Sequence, residues 1–95
     1  MSLKEEVAKG HRASDLLENP IYIEAMESLK LAVHTKWAEC PIRDVEGQHE
    51  LKLMLKLIGD LEGNIKRFVQ DGKLAQFTIN EDEQGLKSKV KQFFR

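Results

Sequence analysis

Two prolines cut this chain, and what lies between them reads as helix. A proline lacks a backbone N–H and pushes the residue before it away from helical angles, so Asn19-Pro20 and Cys40-Pro41 each end a helix. Asn19 is also a strong N-cap, and Pro20 sits at the first helical position, where the missing N–H costs nothing. One helix is therefore predicted from about Ser2 to Glu18 and a second from Pro20 to about Glu39. Charged residues make up 33% of the 95-residue chain and aromatics 6%, a balance that suits solvated helices rather than sheets.

The first helix opens with Ser2 and Glu5 in the Ser-x-x-Glu form of a capping box. Its apolar stripe is thin: Leu3, Val7, Ala13, Leu16 and Leu17, with Gly10 in the middle. The second carries Tyr22, Ala25, Met26, Leu29, Val33, Trp37 and Cys40 at helical spacing. After a short turn, Asp44 is the expected N-cap of a third helix, from about Val45 to Asp71. Gly72 is its expected C′ residue. Helices two and three then form an antiparallel helical hairpin over residues 20–72. Residues 73–79 alternate like a short strand around Gln76-Phe77-Thr78-Ile79, and Asn80 is placed to cap a last amphipathic helix over 80–95. The fold class is all-α and a single domain: the hairpin, a shorter N-terminal helix and a C-terminal amphipathic helix.

The third helix carries more apolar surface than one partner helix needs. Its stripe of Leu51, Met54, Leu55, Ile58, Leu61, Ile65, Phe68 and Val69 is widened by Leu53 and Leu57 to an arc of about 200°. Either the flanking helices cover the surplus or a second subunit does. The oligomer interface is expected at Leu53, Leu57, Phe93 and Phe94. Gly59 and Gly63, four apart on the opposite side, are a spacing that lets another backbone approach.

Catalytic and metal chemistry is not expected. His11, His34, His49 and Cys40 are scattered, and His49-Glu50 lacks the second histidine of a zinc protease. No glycine-rich phosphate loop and no nucleophile elbow occur, so no cofactor is expected and the chain does not read as an enzyme. The net charge is −1. Residues 72–95 hold five basic and three acidic side chains, a net of +2, which does not make a nucleic-acid-binding stripe. The first residues carry no signal-peptide pattern, and no window approaches the ~18 apolar residues of a membrane span. The lone cysteine fits a reducing compartment, so a cytoplasmic protein without membrane contact is expected.

Ala13-Ser14-Asp15-Leu16-Leu17-Glu18-Asn19-Pro20, Glu24-Ala25, Trp37, Pro41, Asp44-x-Glu46-Gly47, Leu51 and Gly72-Lys73-Leu74-Ala75 form a pattern over residues 12–75. It resembles small helical-hairpin proteins of tailed bacteriophages, encoded near head and packaging genes. The resemblance implies a homo-oligomer in the host cytoplasm that binds a phage structural or host protein during virion assembly or packaging. The architecture is also similar to phage anti-defence proteins that sequester cyclic oligonucleotides between subunits. Tyr22, Lys36, Lys66 and Arg67 are the residue types such a nucleotide ligand would need. A third expectation is a regulatory inhibitor that docks its final helix into a host protein's groove.

Overall fold

A computed structural model describes the backbone of residues 1–93 and the side chains of residues 1–83. It has three helices: α1 (Leu3–Glu18), α2 (Pro20–Glu39) and α3 (Val45–Phe93). The described residues contain no strand. Nor, among them, is any helix long and apolar enough to cross a membrane.

The caps stand where the side-chain chemistry puts them. Ser2 Oγ accepts from the Glu5 N–H at 3.2 Å. Asn19 Oδ1 accepts from the N–H groups of Ile21 and Tyr22 at 2.8 and 3.3 Å, which starts α2 directly after α1. Asp44 Oδ1 accepts from the Gly47 N–H at 2.9 Å and opens α3. Gln48 closes the turn from above, its amide donating to the carbonyls of Pro41 and Ile42 at 3.1 and 3.2 Å.

The chain reverses once, at residues 40–44, so α1 and α2 follow one another back along α3. Met26 and Val33 of α2 pack on Leu51 and Ile58 of α3, with Tyr22, Cys40 and Leu55 at the margin. Farther along, Ala13, Ile65 and Ala75 are buried where α1 lies on α3. The result is a rod of 78 × 26 × 18 Å.

The second half of α3 departs from the expectation. Gly72 does not end the helix, residues 73–79 are helical, and Asn80 is an interior residue of α3, not the cap of a separate helix. The reason is α1. A Cβ on Gly72 would stand 2.9 Å from the Gly10 Cα and 3.1 Å from the Glu6 carbonyl oxygen. A Cβ on Gly10 would meet the Gly72 Cα and the Phe68 carbonyl at the same two distances. The two glycines are thus the point where the backbones of α1 and α3 touch. Ala13 and Ala75, three residues beyond each glycine, are buried beside it, Ala75 with only 2% exposure. Gly72 has helical φ, and the close packing of α1 against it offsets its poor helix propensity. Within the helix, Thr78 Oγ1 donates to the Leu74 carbonyl and the Gln76 amide to Asn80 Oδ1, both at 3.0 Å.

Candidate interaction surface

A pair of helices has no interior in the usual sense. Among the described residues seven apolar side chains are buried, and none of them fully. The accessible surface is 8014 Å², whereas a compact monomer of 10.9 kDa exposes about 5,600 Å². The surplus of about 2,400 Å² follows from the elongated shape.

The apolar part of that surplus is not scattered evenly. Lys30 and Glu62 mark one flank of the α2–α3 pair, with Nζ and Oε1 2.6 Å apart. Placing residues at 100° steps puts Ala25 and Leu29 of α2 on the other flank, beside Met54, Leu57 and Leu61 of α3. Leu53 lies just round the edge, and Leu16 carries the strip onto α1. All of these side chains are exposed, Leu57 at 66%. Leu53, Leu57 and Leu61, spaced by four, make one continuous ridge. A smaller exposed group, Trp37, Ile42 and Val45, sits at the chain reversal.

Of the interface residues expected from sequence, Leu53 and Leu57 belong to this ridge. Gly59 and Gly63 do not: they face away from it, and a Cβ on either would meet nothing within 4 Å. The Phe93 side chain and Phe94 lie outside the described residues. The glycines that do admit a neighbouring backbone are Gly10 and Gly72. Their signal in the sequence is a repeated Gly-x-x-Ala, Gly10 with Ala13 and Gly72 with Ala75, which keeps one strip of each helix flat.

The four residue types suited to a nucleotide ligand do not converge within one chain. Tyr22 lies in a shallow hollow with Leu17, Met26, Lys30 and Glu62, its hydroxyl buried and unpartnered. Lys36 is exposed 14 residues on, about 21 Å along α2. Arg67 belongs to the α1–α3 limb, with its guanidinium 5.7 Å from the Phe68 ring centre, and Lys66 next to it is exposed. Lys9 Nζ stands over the same ring at 3.9 Å, and Glu6 and Asp71 line the same hollow, so charges of both signs meet at this end of the strip. At the other end Glu46 and Glu50 are exposed and share the ridge side of α3.

Cys40 sits beside the turn, its Sγ 3.9 and 4.0 Å from the carbonyl and Oδ2 of Asp44. Burial, and then the Asp44 charge, push the thiol above its ordinary pKa, the reverse of what a nucleophilic cysteine needs. Among the described residues no three His, Cys, Asp or Glu side chains come together as a metal site. The family models, the curated proteins and the solved structures compared with this chain contain no match to it.

Proposed function

We propose that this protein is a non-enzymatic, self-associating helical interaction protein, in which α2 and α3 act as an antiparallel helical hairpin presenting an apolar flank. The phage-like sequence pattern gives that module a place in virion assembly or packaging, with a phage structural protein as its further partner. The observation that carries the reading is the exposed strip of Leu29, Leu53, Met54, Leu57 and Leu61 on a chain that exposes about 2,400 Å² more than a compact monomer. A stable protein interface takes about 800 Å² from each partner, and obligate ones take more. Full burial of an exposed leucine contributes ~1.5–3 kcal/mol, and the four in this strip, already about half covered, retain roughly half of that for an interface. A three-helix chain whose described residues bury only seven apolar side chains would gain from that burial stability that it lacks alone.

Light scattering after size exclusion, at two protein concentrations and two salt levels, tests the reading. A defined oligomer that persists in high salt is expected, because apolar burial is not screened. A monomer of 10.9 kDa at every condition would remove self-association from the proposal.

A further inference from the structure

We infer that α1 is a clasp. While it is docked, α3 runs unbroken through Gly72; when it lifts away, α3 ends at Gly72 and a separate helix starts at Asn80. Counted outward from the Gly10–Gly72 contact, antiparallel and at equal rise, α1 lies level with residues 64–79 of α3. Counted from the chain reversal at 40–44, α2 lies level with residues 45–64. Among the described residues, the stretch from Gly72 to Ile79 therefore has α1 as its one neighbouring element. The clasp is independent of self-association, because the ridge of Leu53, Leu57 and Leu61 lies level with α2.

That stretch is a poor helix by itself. Gly72 has the weakest propensity after proline, and Phe77, Thr78, Ile79 and Asn80 follow as four consecutive weak formers. Thr78 Oγ1 donates back to the Leu74 carbonyl at 3.0 Å, a bond that weakens a helix slightly. From within, the Gln76 amide bonded to Asn80 Oδ1 is the one side-chain support. From outside, α1 buries Gly72 and leaves Ala75 2% exposed. The released state has its own end signals: Gly72 as a C′ residue, and Asn80 as an N-cap with Glu81, Asp82 and Glu83 in the turn that follows. The clasp is also lightly seated. α1 buries only Gly10 and Ala13, and it is tied to α2 through the single extended residue Asn19. It can lift without disturbing Met26, Val33, Leu51 and Ile58.

Hydrogen exchange of backbone amides in the full chain tests this. In low urea the amides of Val7 to Leu17 and those of Ala75 to Ile79 are expected to open as one unit, before those of Leu51 to Ile58. Gly10→Val should lower protection of Ala75 to Ile79 by about 10-fold or more, the reading of an ordinary overpacking cost, and leave Leu51 to Ile58 unchanged. Adding Phe77→Ala and Thr78→Ala to Gly10→Val should restore part of the protection at Ala75 to Ile79 and none in α1, because these two changes raise helix propensity only beyond Gly72. Protection at Ala75 to Ile79 that survives the opening of α1 overturns the clasp. If Gly10→Val exposes Leu51 to Ile58 as well, the unsubstituted chain decides: separate openings of α1 and of Ala75 to Ile79 overturn the inference, and a common one upholds it.

Discussion

At the scale of single residues, four glycines divide into two kinds. Gly10 and Gly72 stand back to back, and a methyl on either would press on backbone atoms that cannot rotate away. Gly10→Ala and Gly72→Ala are each expected to destabilise by about 1–3 kcal/mol, the range of overpacking. Gly59 and Gly63 face open space inside a helix, so Gly59→Ala and Gly63→Ala should each stabilise by about 0.8–1 kcal/mol through helix propensity. Urea unfolding of the four variants checks both halves. Opposite signs are required, and a stabilising Gly72→Ala would mean that α1 and α3 do not touch there. Cys40 gives a second residue-scale expectation. With its pKa raised, less thiolate is present at a given pH, so alkylation at pH 8 should be slower in the folded chain than in urea. Asp44→Asn keeps a capping side chain but removes the charge. It should recover part of the rate and not all, because burial is the larger cause. Equal folded and unfolded rates would contradict the account.

At the scale of elements, what was legible in the sequence is what is local. Asn19-Pro20, Cys40-Pro41, Ser2 and Asp44 each act within four residues, and each stands at the helix end it marks. The break expected at Gly72 was also a local inference, and a long-range contact overrode it. Gly72 is held in α3 by Gly10, 62 residues away, and neither glycine's neighbours announce that pairing beyond the repeated Gly-x-x-Ala. The strand-like alternation of Gln76 to Ile79 was likewise misleading. The same residues read at helical spacing place Ala75 and Ile79 with Gly72 on the side facing α1. Leu53 and Leu57 were legible as surplus because helical periodicity alone shows an arc too wide for one partner. Asn19 carries an element-scale expectation. It accepts two N–H groups at the start of α2 and donates its own N–H to the Leu16 carbonyl at the end of α1. Asn19→Ala should cost about 1 kcal/mol, and Asn19→Asp about nothing, in thermal unfolding. An alanine variant as stable as the parent would show that Pro20 alone sets the corner.

At the scale of the whole molecule, the shape itself discriminates between assemblies. The Cα radius of gyration is 21.7 Å, against about 12 Å for a compact 95-residue domain. The centre of mass of the rod lies near residue 66 of α3, because α1 and α2 cover only residues up to about 79. Two such rods reversed and crossed at Leu57 would hold their centres of mass on opposite sides of the crossing, each about 13 Å from it along the rod. Adding that displacement and half of an interaxial separation of about 10 Å in quadrature to the value for one chain gives a radius of gyration of about 26 Å. Two rods packed parallel and in register have no lengthwise displacement, and the same sum gives about 22 Å. Small-angle scattering at a concentration where light scattering shows a dimer separates these values. The larger one would come with a maximum dimension well beyond the 78 Å of one rod. A dimer near 22 Å would mean that the two rods lie side by side with no lengthwise offset, whichever way each one points.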